Sequence, residues 1–264
     1  VLVLLAFALN GYRNVDAVPP AMDADANAVR HQVKTQSGSR TSLTLPDGST
    51  VWLNANSKIS YADDFGTTNR NIWLNGEGMF KVSKNKALPF TIHTRSMKVR
   101  ATGTLFNVRA YENDANFETS LLEGQVVVTI SGKGQSEYTL KPNQKLLVSN
   151  MRLSSADAPA SPTNQPKAFR VALQKISFQP GDSTVLETAW AHNKLMFADE
   201  TFESVASKME HWFGVEFQFA HNTLAQEHLS GSFENETLEQ ALLALQYTTP
   251  FHYRITGNQV FITP

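Results

Sequence analysis

The chain has 264 residues, 23 Lys and Arg against 24 Asp and Glu, and 41% hydrophobic residues. That length suits two domains, each with enough apolar material for a core, and the near-zero charge gives no electrostatic case for nucleic acid or an anionic membrane surface. With no cysteine, thiol nucleophiles, disulfides and thiolate metal sites are excluded.

Residues 1–9 are uniformly apolar, Val1 to Leu9, with no charged residue before them. A spanning helix needs about 20 such residues, so the run reads as the end of a truncated transmembrane helix. Residues 10–32, with Pro19-Pro20 and an Ala/Asp/Asn-rich stretch, read as a spacer.

From 33 to 150 the pattern is short alternating strands broken by turn signals. Ser42-Leu-Thr-Leu45 alternates, Pro46-Asp-Gly48 turns, and Thr50-Val-Trp-Leu-Asn54 alternates again. Further strands are expected at Asn71–Leu74, Met79–Val82, Phe90–Thr94, Met97–Arg100, Phe117–Leu122, Gln125–Ile130 and Lys145–Val148. Between them Leu105 to Tyr111 reads as a central strand with Leu105, Asn107, Arg109 and Tyr111 on one face and Phe106, Val108 and Ala110 on the other. Strands at this spacing predict an all-β sandwich or jelly roll.

Residues 151–176 read as a linker, rich in Ser, Ala and Pro at first, with a further strand possible from Ala168 to Phe178. Pro180-Gly181 is a turn signal, and Trp190 is expected in a core. Residues 177–264 read as a small α+β module built from two strand–helix–strand repeats. Phe197-Ala-Asp-Glu-Thr-Phe-Glu-Ser-Val205 matches Phe233-Glu-Asn-Glu-Thr-Leu-Glu-Gln-Ala241 without a gap. Phe202, Val205, Ala206, Met209 and Phe213 share one helical face, as do Leu238, Ala241, Leu242 and Leu245. Thr201 and Thr237 are the expected N-caps, the latter with Gln240 at capping-box spacing; Asp199 and Asn235 compete for the role. The last strand, Gln259, Val260, Phe261, Ile262 and Thr263, reads as an open edge suited to strand addition by a partner.

The chain contains neither a Gly-x-Ser-x-Gly elbow nor a phosphate loop, and its seven histidines form no His-x-x-x-His pair. No catalytic residue, metal or cofactor is expected. Gly76-Glu-Gly78 is too short for a dinucleotide fingerprint and reads as a break between strands. Two other readings remain open. One is a glycan-binding or adaptor β-sandwich, which needs a flat exposed row including Trp52 or Trp73. The other is a hydrolase, which needs two carboxylates in a cleft.

Five segments then come in a telling order. They are Leu45-Pro-Asp-Gly-Ser-Thr-Val-Trp-Leu-Asn-Ala-Asn-Ser57, Arg70-Asn-Ile-Trp-Leu-Asn-Gly-Glu-Gly-Met-Phe-Lys-Val82, Pro89-Phe90, Gly103-Thr-Leu-Phe-Asn-Val108 and Leu122-Glu-Gly-Gln-Val126. As a series, over roughly 35–148, they resemble the periplasmic domain of FecR-type anti-sigma factors. The last domain resembles the C-terminal module of Bacteroidetes-type FecR proteins, itself similar to the signalling domain of TonB-dependent outer-membrane receptors. Two positions depart from the family pattern: Gly78-Met79 stands where a small residue and an aromatic are usual, and Pro142-Asn-Gln144 where Pro-Gly-Gln is usual. Asn tolerates φ > 0 next best after Gly, so the second turn is expected to survive.

The resemblance implies a non-enzymatic relay, single-pass in the inner membrane with this chain in the periplasm. Its implied partners are the signalling domain of a TonB-dependent receptor and, through a cytoplasmic segment absent here, an ECF sigma factor. Some FecR-like anti-sigma factors are self-cleaved, and Gly103-Thr104 lies in the matching motif. There the Thr104 hydroxyl would attack the Gly103 carbonyl in an N→O acyl shift, which needs strain and a nearby proton acceptor. The competing reading makes Gly103 a structural corner.

Overall fold

The computed structural model describes residues 29–114, 116–131, 136–150, 169–179 and 184–264. The expected membrane-helix end at 1–9, most of the spacer, the first part of the linker and the Pro180-Gly181 turn lie outside the described residues.

The first domain is all β. Its thirteen strands are β1 (Val29–Lys34), β2 (Thr41–Thr44), β3 (Thr50–Leu53), β4 (Lys58–Ala62), β5 (Asn71–Lys81), β6 (Phe90–His93), β7 (Met97–Ala101), β8 (Leu105–Ala110), β9 (Asn116–Glu123), β10 (Val126–Ile130), β11 (Ser136–Leu140), β12 (Gln144–Asn150) and β13 (Phe169–Lys175). They form one large curled sheet. It is mixed, because β6 runs parallel to β5.

β5 holds the two halves of this sheet together. Its first half pairs with β4 and β6, its second half with β3 and β8. One half therefore runs β1-β4-β5-β6-β7-β10-β11 and the other β2-β3-β5-β8-β9-β12-β13. They enclose a single core to which Ile72, Leu74, Ile92 and Val99 contribute from one side and Val51, Phe80, Phe106 and Leu146 from the other.

The change of partners falls at Gly76-Glu-Gly78. These residues lie in mid-strand, contrary to the expected break, because the ladder continues through Gly76↔Ala110 and Gly78↔Val108. Gly76 has φ +119°, and a Cβ there would stand 2.6 Å from Ser57 Cα. Only glycine satisfies both the backbone angle and the close approach. At the Pro142-Asn-Gln144 turn Asn143 takes φ +66°, so the turn survives its departure from Gly. The alternation of Phe169, Val171 and Leu173 carries β13 onto β12, with Val171↔Val148 and Leu173↔Leu146. The β domain thus extends into residues expected as linker.

A 3-10 helix at Leu186–His192 leads into the C-terminal module: β14 (Leu195–Thr201), α1 (Phe202–Phe213), β15 (Glu216–Phe219), α2 (Asn222–Ala225), β16 (His228–Phe233), α3 (Leu238–Gln246), β17 (His252–Thr256) and β18 (Gln259–Thr263). This is the expected α+β architecture, with the repeat visible as α1 against α3 and β15 against β17. Thr201 caps α1, accepting from Ser204 N, and Thr237 forms a complete capping box with Gln240. The apolar faces read from the sequence fill one core with Phe251, Val260 and Ile262.

The strands of the module split into a β14–β16 pair and a three-stranded sheet in the order β15-β18-β17. This corrects one expectation. Gln259, Val260, Phe261, Ile262 and Thr263 form the middle strand, parallel to β15 and antiparallel to β17. Val260 and Ile262 are fully buried. Strand addition at β18 is therefore ruled out by its own ladders; the sheet edges belong to β15 and β17. No helix among the described residues is long and apolar enough to cross a membrane.

Candidate functional site

Strand β8 lies between β5 and β9, and its alternation divides its side chains as expected. Phe106, Val108 and Ala110 enter the β core. Asn107, Arg109 and Tyr111 point to the other face, which is covered by the 3-10 helix and the second half of α1. The result is a polar seam between the two domains.

At its centre is Glu77, buried on β5. Its Oε1 accepts from Asn107 Nδ2 at 2.9 Å and its Oε2 from Asn54 Nδ2 at 2.8 Å. Asn107 passes the chain on, its Oδ1 accepting from Trp190 Nε1 of the 3-10 helix at 3.3 Å. Arg40 bridges the domains alongside. Its Nε donates to Asn54 Oδ1 at 3.2 Å, its Nη1 donates to Asn193 Oδ1 at 2.7 Å, and its guanidinium lies 3.6 Å above the Trp212 ring.

A second cluster ties β8 to α1. Asp114 Oδ2 accepts from Arg109 Nε at 3.1 Å and Nη2 at 2.7 Å. Ser207 of α1 completes the triangle, accepting from Arg109 Nη2 at 3.0 Å and donating to Asp114 Oδ1 at 3.1 Å. His211, one turn further along α1, stacks on Tyr111 with centroids 3.6 Å apart and rings 11° from parallel. Its Nε2 stands 3.7 Å from Asp114 Oδ1, an electrostatic contact rather than a hydrogen bond. A third cluster places Lys145 between Glu187 Oε1 at 2.8 Å and Glu118 Oε2 at 3.8 Å.

Burial alone would raise the pKa of Asp114, but Arg109 and His211 outweigh it and hold the carboxyl down at about 2. Burial, then the charge of Glu77, push the Tyr111 phenol up, so it stays protonated and donates to Ala55 O at 2.8 Å. Burial raises the pKa of Glu118, more than Lys145 lowers it. Every carboxylate in the seam is thus committed to a partner. The chemistry is that of a latch: charges are neutralised mostly within the β domain, and the Lys145–Glu187 pair and the hydrogen bonds of Ser207 and Trp190 cross to the module.

The Gly103-Thr104 bond singled out from the sequence lies elsewhere. Gly103 takes φ +137°, and a Cβ there would meet Lys84 Cα at 2.9 Å, which is a structural corner. The Thr104 hydroxyl oxygen is buried without a hydrogen-bond partner among the described residues. A positive φ is relaxed for glycine, and the Thr104 hydroxyl has no hydrogen-bonded acceptor among the described residues, so the corner displays neither requirement of an acyl shift. Trp52 and Trp73 are both half-buried. Trp52 lines a shallow cleft at the seam with Arg40 and Trp190, while Trp73 stacks on His93 at 5.4 Å. The cross-strand partner of Trp52 is Met79, roughly 20 Å along β5 from Trp73 at strand rise, so the two do not form one flat row. Sequence reading placed Asn107, Arg109 and Tyr111 on one face but missed Asp114, Ser207 and His211, because nothing local distinguishes a polar position of α1 that meets solvent from one that meets another domain.

The FecR protein family model matches residues 31–127 and the FecR C-terminal model residues 194–262, together more than half of the chain. Two crystal structures of a candidate anti-sigma factor from Parabacteroides distasonis ATCC 8503, at 1.65 and 2.50 Å, are similar to the whole fold. Each is 26% identical with a TM-score of 0.73, over 88% of this chain and 98% of the other. No curated protein matches the sequence.

Proposed function

The chain belongs to the FecR family of non-enzymatic anti-sigma regulators, and from that premise we propose that it is the periplasmic part of a transmembrane anti-sigma factor. In this reading a TonB-dependent outer-membrane receptor presents its signalling domain to the C-terminal module. The module changes its docking on the β domain, and the message passes through an N-terminal membrane helix to an ECF sigma factor in the cytoplasm. A change in domain arrangement that exposes the region to proteolysis would complete the release.

One observation carries the reading. Where the module meets the β domain the contacts include a largely shielded polar network: Ser207 bonds to both Arg109 and Asp114, Trp190 donates to Asn107, and Glu187 pairs with Lys145. Such networks contribute little net stability when intact but are costly when half-broken. They therefore favour two discrete arrangements, docked and released, over a graded series. A bistable interface is what a ligand needs if it is to shift a population by binding one state better.

Calorimetric titration of the chain with signalling domains of TonB-dependent receptors from the same genome tests it. Saturable binding to one receptor is expected. Absence of binding to every receptor would refute the relay.

A further inference from the structure

The repeat in the C-terminal module has a consequence for its outer surface. The offset that aligns the two copies superposes α1 on α3. Phe202, Val205, Ala206 and Met209 match Leu238, Ala241, Leu242 and Leu245, and all but Leu238 are buried in the shared core. On the opposite face the same offset matches Ser207 with Leu243 and His211 with Tyr247. Ser207 and His211 are the two α1 side chains that dock on Arg109, Asp114 and Tyr111. The module thus carries two equivalent helix faces, and the β domain occupies one.

The other is open among the described residues. Leu243 is 50% exposed and Tyr247 92%. They are one helical turn apart on one face, with exposed Ala244 beside them. Single exposed apolar side chains are ordinary, but these are two of only four large ones exposed among the described residues. The face has also changed chemistry relative to α1, from serine and histidine to leucine and tyrosine, so it suits burial against a different surface.

Its rim is acidic. Glu234, Glu236 and Glu239 are exposed at the start of α3. From Met209 to Pro264 the chain has six glutamates and a single basic residue other than histidine, Arg254, although the whole chain is nearly neutral. An apolar centre with a tyrosine anchor and a charged rim is the anatomy of a protein interface, and the charge sets the sign of the occupant.

We propose that the α3 face centred on Leu243 and Tyr247 is a docking surface for a folded protein domain presenting an apolar recess rimmed by Lys or Arg. Resting on the relay reading above, that domain is the receptor's signalling domain. Binding there leaves the α1 seam free to transmit the event through the core that the two helices share.

The test uses the full chain, titrated calorimetrically with the panel of receptor signalling domains. Wild type is expected to bind one of them, more weakly as salt rises. The double variant Leu243→Glu/Tyr247→Ser should lose affinity at least tenfold, with its urea midpoint unchanged. Glu236→Lys/Glu239→Lys should weaken binding by a similar factor and flatten the salt dependence, while Tyr247→Phe should bind as wild type. Wild-type affinity in the Leu243→Glu/Tyr247→Ser variant overturns the docking surface and leaves the relay standing. Failure of wild type to bind any receptor domain overturns the relay and this assignment with it. Light scattering supplies the remaining arm: a wild-type dimer that the double variant dissolves would make a second copy the occupant and overturn the receptor assignment.

Discussion

Replacing Asp114 with asparagine should open the seam. The carboxylate takes two hydrogen bonds from Arg109 and one from Ser207, and it faces His211. Asparagine keeps the shape but leaves Arg109 with its charge in a site where its side chain is only 17% exposed. Two routes give the magnitude. Asp114 titrates at about 2 in the native protein against an ordinary 3.8, and at ~1.4 kcal/mol per pH unit this corresponds to roughly 2 kcal/mol. Stripping one partner from a buried ion pair costs about 3–5 kcal/mol. A loss of about 3 kcal/mol at pH 7 is therefore expected, a shift of about 1 M in the urea midpoint. Trp190 and Trp212 both lie at the seam, so tryptophan fluorescence reports docking directly. The pH dependence separates the ion pair from mere packing. Between pH 4 and 2 the unfolded carboxylate binds a proton while the native one does not, so native stability rises with pH there. The advantage of wild type over Asp114→Asn should be complete above about pH 4 and vanish as pH falls through about 2. A variant within 0.5 kcal/mol of wild type at pH 7, or a gap constant down to pH 2, would refute the latch.

Gly76→Ala should abolish cooperative folding, since the added methyl meets the Ser57 backbone at a left-handed φ; a variant melting like wild type by circular dichroism would contradict the crossing-strand account. Arg70 is 2% exposed and donates to Asp47, to Ser83 O and to Leu88 O. Lysine cannot reproduce that fork, and calorimetric melting of Arg70→Lys should show a loss of about 3 kcal/mol, with a loss under 1 kcal/mol counting against it. Thr104→Val removes a buried hydroxyl without a partner among the described residues and should raise stability by about 1 kcal/mol in urea. Mass spectrometry of the purified wild type should show an intact Gly103-Thr104 bond after long incubation; a fragment ending at Gly103 would mean that a proton acceptor reaches Thr104 after all.

How much of this was legible in the sequence depended on the range of the interaction. The alternation along β8 already set Asn107, Arg109 and Tyr111 on the face opposite Phe106, Val108 and Ala110. The spacing of Thr201 and Thr237 ahead of their apolar faces marked both helix starts, and the internal repeat revealed two equivalent units. These patterns are local: strand pleat, helical period and cap geometry act within a few residues, so the residues carry them wherever the segment lies. Tertiary structure decided the rest. The Gly76-Glu-Gly78 segment resembled a break because glycine is scarce in strand interiors, and only the crossing over Ser57 makes it the middle of β5. β18 resembled an edge because it ends the chain, and pairing to β15, distant in sequence, makes it central. Asp114 meets Ser207 across 93 residues. A carboxylate and a serine on exposed-looking positions carry no local sign that they will be buried against each other. Only the packing of α1 against β8 brings them within hydrogen-bond reach.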